Sequence, residues 1–181
     1  MQQLEEIYNQ KCQIKSDINE HLPTLKKYAE ECEHVTEMGV RWVVSTFAFM
    51  MGKPKKLISI DLDPVEKHGI KTEDLVELAN SVNVDFTFIV GDTTEIEIEE
   101  TDFLFIDTLH TYGQLKKELE LHANKSKKYI GFHDTTTFAQ VGEYQEVGLW
   151  PAIEEFLIAN ENWVIAEKFE NNNGLTILKR I

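Results

Sequence analysis

Two apolar segments of this chain end on ionisable side chains. The run Phe103-Leu104-Phe105-Ile106 stops at Asp107, and His110 follows three residues later. The run Tyr129-Ile130-Gly131-Phe132 stops at His133 and Asp134. If both runs are buried strands, two carboxylates and two imidazoles reach one sheet edge. Carboxylates aimed at one point repel unless a cation or a proton lies between them. An Asp/His/Asp set suits a divalent ion, and imidazole tilts the preference away from Mg2+ toward Mn2+, Fe2+ or Zn2+. His110, with an unperturbed pKa of about 6.5, suits removal of a proton from a hydroxyl.

Placing these groups requires a particular arrangement of elements. Residues 1–32 carry apolar residues at helical spacing (Leu4, Ile7 and Tyr8, then Leu22, Leu25, Tyr28 and Ala29), with Pro23 at a break or in the first turn of a second helix. Beyond residue 34 the pattern alternates. Strands are predicted at 34–40, 56–62, 85–91, 101–107 and 128–134, and helices at 45–51, 72–82, 112–122 and 150–160. Residues 163–170 and 174–180 form a closing hairpin around Asn171-Asn172-Asn173-Gly174. This order predicts one α/β domain over residues 1–181, a Rossmann-like three-layer sandwich whose sheet is mostly parallel. Near-continuous apolar strands suit a sheet covered on both faces.

In such sheets ligands bind beyond the carboxyl ends of the strands. Glu37, Asp61, Asp92, Asp107 and the pair His133/Asp134 all lie at or just past predicted strand ends. Gly39 allows a tight turn after the first strand, and Ser45 starts the following helix, where backbone N–H groups attract an anionic group. Asp61 lies 22 residues after Gly39, where a carboxylate can accept from ribose hydroxyls, and Asp92 is placed to meet an adenine amino group.

The order Glu37-x-Gly39, Asp61, Gly91-Asp92 and Asp107-x-x-His110 resembles class I S-adenosylmethionine-dependent methyltransferases, over roughly residues 34–181. The closing hairpin is similar to the antiparallel last strand of that fold, which implies a seven-stranded sheet. The stretches Ile106-Asp107 through His110-Thr111-Tyr112, His133-Asp134-Thr135 and Gly148-Leu149-Trp150-Pro151 resemble the small-molecule O-methyltransferase branch that includes cephalosporin hydroxylase-like proteins. The resemblance implies S-adenosylmethionine held by Glu37, Gly39, Ser45, Asp61 and Asp92. It also implies a divalent metal (Mg2+ or Mn2+) on Asp107, His133 and Asp134, and a catalytic pair of His110 as base with Asp107. Where relatives carry further glycines in the first loop, this chain has Arg41-Trp42-Val43-Val44. The 135–149 loop beside the fifth strand is an expected acceptor lid or packed surface.

Composition narrows the partners. A formal net charge of −14 argues against a non-specific nucleic-acid binder, which needs clustered cations. Lys53–Lys56 and Lys125–Lys128 read as solvated loops, and His34, His68 and His122 as surface residues. Two cysteines fit neither a zinc spacing nor a disulfide framework, so a cytoplasmic protein is expected. No apolar run approaches the ~20 residues of a membrane span. There is no G-x-G-x-x-G, no phosphate loop, no G-x-S-x-G and no H-E-x-x-H. In a chain this short no large acceptor domain is expected, and the acceptor site is expected to be open or to be completed by another subunit of a homo-oligomer. The rival expectation is a catalytically silent binding or scaffold protein.

Overall fold

A computed structural model describes residues 2–181. The chain runs through α1 (Gln2–Gln13), α2 (Leu22–Ala29), β1 (His34–Met38), α3 (Val44–Gly52), β2 (Lys56–Asp61) and α4 (Thr72–Asn80). It continues through β3 (Asp85–Val90), β4 (Thr101–Ile106), α5 (Tyr112–His122), β5 (Ser126–His133) and α6 (Trp150–Ala159), and closes with β6 (Trp163–Phe169) and β7 (Leu175–Arg180). Pro23 stands in the first turn of α2, where its missing N–H costs no helical hydrogen bond.

The strands form one seven-stranded sheet in the order β3-β2-β1-β4-β5-β7-β6. Pairs among β1 to β5 are parallel, and β7 runs antiparallel to both β5 and β6. This is the Rossmann-like sandwich that the element order predicts.

Successive strand side chains point to opposite faces, which decides the layers. In β4, Phe103 and Phe105 join Leu4, Leu22, Leu25 and Phe49 on the face covered by α1, α2 and α3. Leu104 and Ile106 join Leu115, Leu119 and Ile153 on the face covered by α5 and α6. Both faces of the central strands are therefore buried. That is why these strands read as continuous apolar runs.

From β1 the sheet grows one way through β2 and β3 and the other way through β4 and β5. The connections leave in opposite directions at the β1/β4 boundary, and the crevice there opens beyond the carboxyl ends of the strands. Among the described residues, no helix is long and apolar enough to cross a membrane.

Candidate active site

The crevice starts at a backbone contact. Gly39 has φ +83, and a Cβ there would lie 1.9 Å from the Asp107 carbonyl oxygen, so only glycine lets the tips of β1 and β4 meet. Arg41 (φ 43) and Val43 (φ 62) then take left-handed backbone conformations without being glycine. Such residues cost on the order of 1–3 kcal/mol each and persist only where neighbours hold them. Here Val43 is fully buried, Arg41 pairs with Asp17, and Asp61 Oδ2 accepts from Val40 N (2.7 Å) and Arg41 N (2.9 Å). Trp42 does not fill the crevice. It stands half-exposed at the rim, under the Arg41 guanidinium at 4.3 Å and edge-on to His68.

The cleft has a volume of about 490 Å3, and Gly39, Asp61, Asp92, Asp107, His110 and Asp134 all line it. Its end under β2 and β3 carries two carboxylates that the chain itself already engages. Asp61 Oδ1 accepts from Asp63 N at 3.0 Å, in addition to the two donors on Oδ2. A carboxylate has about four acceptor positions, so Asp61 keeps one for a ribose hydroxyl rather than the pair that spacing suggests. Asp92 Oδ1 accepts from the backbone N–H and hydroxyl of Thr94, whose hydrogen bonds hold its carboxyl below the usual range.

Glu37 is placed differently from Asp61 and Asp92. It is fully buried beneath the cleft and accepts from Ser45 Oγ (2.5 Å), Thr46 Oγ1 (2.7 Å) and Ser59 Oγ (2.5 Å). Ser45 thus gives its hydroxyl to Glu37, although it also lines the cleft. Burial pushes the Glu37 carboxyl up to about 7, against the three hydroxyls that favour its charge. Glu37 ties the first turn of α3 to β2 from below.

The other end of the cleft gathers the groups from β4 and β5. His110 Nε2 lies 2.8 Å from Asp134 Oδ2 and 3.3 Å from Asp107 Oδ1, while its Nδ1 lies 2.7 Å from Glu143 Oε1. His133 Nδ1 lies 3.4 Å from both Asp107 Oδ1 and Asp134 Oδ2. Burial disfavours both imidazolium ions, but the two aspartates outweigh it and push His110 and His133 up to about 10. Burial likewise opposes ionisation of Asp107 and Asp134, and the imidazoles reverse it, holding both carboxyls below the usual range. Asp134 has φ 59, a left-handed turn, and its side chain meets His110 and His133. Thr111, not His110, caps α5, accepting from Gln114 N at 3.4 Å.

Two groups escaped the sequence reading. The segment after β5 lies over His110: Phe138 stacks on its ring at 4.6 Å and 7°, and Glu143 orients it. Nothing in the spacing marked Glu143. Glu118 is fully buried and accepts from Thr93 Oγ1 (2.5 Å), Thr108 Oγ1 (2.9 Å) and Gln114 Nε2 (2.9 Å), so it ties the loops that follow Asp92 and Asp107. The signal was present, since Glu118 and His122 sit with Leu115 and Leu119 on the buried stripe of α5. His122 is accordingly buried and bonded to the Thr93 carbonyl, not on the surface.

No family model and no curated protein matches this sequence. Solved structures do match its fold. An O-methyltransferase from Bacillus cereus, in complex with S-adenosylhomocysteine, aligns with a TM-score of 0.65 at 16% identity over 100% of this chain and 91% of that one. The S-adenosylhomocysteine-bound methyltransferase from Podospora anserina aligns at 0.62 and 14% over 98% and 87%, and a methyltransferase from Geobacter sulfurreducens at 0.62 and 12% over 93% and 80%. The chain has the class I methyltransferase fold. At these identities the likeness is one of fold, and the chemistry rests on the residues in the cleft.

Those residues can be tested against the groups that a class I methyltransferase fold accommodates. His133 Nδ1 and Asp134 Oδ1 are buried and have no hydrogen-bond partner. Ligand atoms of Asp107, His110 and Asp134 lie within 4.8 Å of one another. A buried imidazole nitrogen and a buried carboxylate oxygen left without partners, beside Asp107, fit a divalent ion. The open positions on Asp61 and Asp92 fit a nucleoside.

Proposed function

We propose that this protein transfers a methyl group from S-adenosylmethionine to a hydroxyl of a small acceptor. The observation that carries the reading is His110. Its Nδ1 meets Glu143, and its Nε2 faces Asp107 and Asp134 on the cleft wall. As it stands His110 is held protonated, with Nδ1 donating to Glu143 and Nε2 to Asp134. A divalent ion on Asp107 and Asp134 would take the place of that positive charge, lower the imidazole and free Nε2 to accept a proton, while Glu143 keeps the tautomer.

Asp61 would accept a ribose hydroxyl and Asp92 a nucleoside donor, with Gly39 leaving the loop close to the ligand. Asp107 and Asp134 would hold a divalent ion, with His133 Nδ1 as a third donor, which leaves His110 free to take the acceptor proton. The bound cofactor supplies a sulfonium methyl group and the ion a Lewis acid. Most of what the chain itself contributes is orientation of the acceptor oxygen and a place for its proton.

Calorimetry with S-adenosylhomocysteine, with and without Mn2+, tests this. Binding that Asp61→Ala weakens about tenfold supports it. Absence of heat at millimolar ligand overturns it. That outcome would favour a catalytically silent binding or scaffold role. One observation supports this second reading: Asp61 already holds three backbone donors, and the loop above it is glycine-poor.

A further inference from the structure

A second cleft, of about 430 Å3, lies away from the strand tips, between α5, α6 and the outer strands. Its volume falls within the range of small-molecule sites. Trp163 and Arg180 face each other across the antiparallel β6–β7 pair, so they share one face of the sheet. Trp163 is buried, the Arg180 guanidinium lies 5.1 Å from its ring centroid, and both line the cleft. Leu119, Ala152 and Phe156 supply apolar walls.

The polar side of this cleft is asymmetric. Among the described residues the Arg180 guanidinium, which lines the cleft, has no carboxylate and no hydrogen-bond acceptor, its one contact being the Trp163 ring. The nearby Lys116 is already paired with Glu155 at 2.9 Å, and Glu155 also accepts from Tyr112 at 2.9 Å, so this pair is locally neutral. Glu120 lines the rim and is exposed, where water screens it. A partly buried guanidinium with no counter-charge favours an anion, and its planar fork of donors matches a carboxylate. The neighbouring walls are apolar and aromatic. The chemistry called for is an anionic head on an apolar body.

We infer that this cleft binds a small amphipathic carboxylate, with the carboxylate on Arg180 and the apolar body against Trp163 and Phe156. This site is separate from the methyl-transfer cleft and does not depend on that reading.

The test uses the full chain and paired probes: phenylpropionate against phenylpropionamide, and octanoate against octanamide. Binding is followed by the Trp163 indole N–H resonance, with Trp42 reporting on the other cleft. Each carboxylate should shift Trp163 and not Trp42, and should bind about tenfold or more tightly than its amide, the size expected for one charge-assisted hydrogen bond. Arg180→Gln should abolish that preference. Ala159→Trp, which fills the cleft from its exposed rim without touching the core, should abolish binding of both probes. Equal binding of acid and amide to wild-type protein overturns the inference, as does no Trp163 shift at millimolar carboxylate. A ligand-free dimer that Ala159→Trp dissociates overturns it too, since a second copy would then cover the cleft. If Arg180→Gln fails to fold, the wild-type acid/amide ratio and Ala159→Trp still decide.

Discussion

The two ends of the main cleft handle negative charge in opposite ways. Under β2 and β3, Asp61 and Asp92 are held by neutral donors: backbone N–H groups of the loop after β1 and of their own loops, and a threonine hydroxyl. Under β4 and β5, Asp107 and Asp134 are held by two imidazoles, His110 and His133, each of which reaches both carboxylates. Neutral donors leave a carboxylate charged and able to accept one more hydrogen bond. Imidazolium partners leave a site whose charge balance changes when a proton or cation moves. On the proposed function the first end would serve recognition and the second chemistry.

The sharpest way to break this contrast is His110→Ala. Loss of a general base typically costs about 10²–10⁴-fold in rate. Turnover should fall by that order once an acceptor is known, with S-adenosylhomocysteine affinity nearly unchanged. Near-normal turnover would leave His110 as a charge partner only.

A second probe separates the carboxylates around the cleft from the one beneath it. Glu37 is raised in the folded protein, from the ordinary 4.5 to about 7. The folded state therefore holds a proton that the unfolded chain releases. The stability it contributes is complete below about pH 4.5 and is lost as pH rises through 7. At about 1.4 kcal/mol per unit this amounts to roughly 3 kcal/mol. Asp107 and Asp134 are lowered, so their contribution disappears only in stronger acid, below the usual carboxylate range. His110 and His133, raised to about 10, contribute fully below pH 6.5 and lose stability toward 10. Between 4.5 and 6.5 the fall comes from Glu37 and from Glu118, whose carboxyl burial also raises, and is opposed by His21, His34 and His122, whose imidazoles burial lowers. Glu37→Gln should flatten the fall in chemical-denaturation stability across that window. An unchanged slope would mean Glu37 is charged throughout.

Metal addition should act at one end only. Mn2+ at a hundred times its dissociation constant should stabilise the fold by about 2.7 kcal/mol, read as a rise in melting temperature. Asp134→Asn should reduce that gain and Asp92→Asn should not. Indifference of the wild type to Mg2+, Mn2+ and Zn2+ would reduce the β4/β5 cluster to an internal ion-pair network.

The smallest effect is expected at the nucleoside end. Asp92→Asn should weaken S-adenosylhomocysteine by only about threefold to tenfold, since one neutral acceptor remains. Asp61→Ala should do more. It should also lower the melting temperature, because the strained Arg41 and Val43 backbone loses its anchor. An Asp61→Ala variant with unchanged melting temperature would show that the loop holds itself.

The sequence by itself determined the layers and the edge. Continuous apolar runs such as Phe103–Ile106 can be buried only on both faces, and alternation with helices leaves the parallel sheet as the solution. Parallel strands put their carboxyl ends on one side, so Asp61, Asp92, Asp107 and Asp134 had to share an edge. Tertiary structure alone decided where each side chain points. Glu37 and Asp61 are both acidic strand-tip residues, yet one is buried under three hydroxyls and the other lines the cleft. Asp61 stands two residues past Ser59, the register partner of Glu37, so both point to one face and only depth along the strand separates them, while a left-handed turn such as that at Asp134 redirects a side chain again. Glu143 reaches His110 across 33 residues of chain. The loop path that closes such a contact is set by packing, here by Phe138 on the imidazole ring, and no local pattern encodes it.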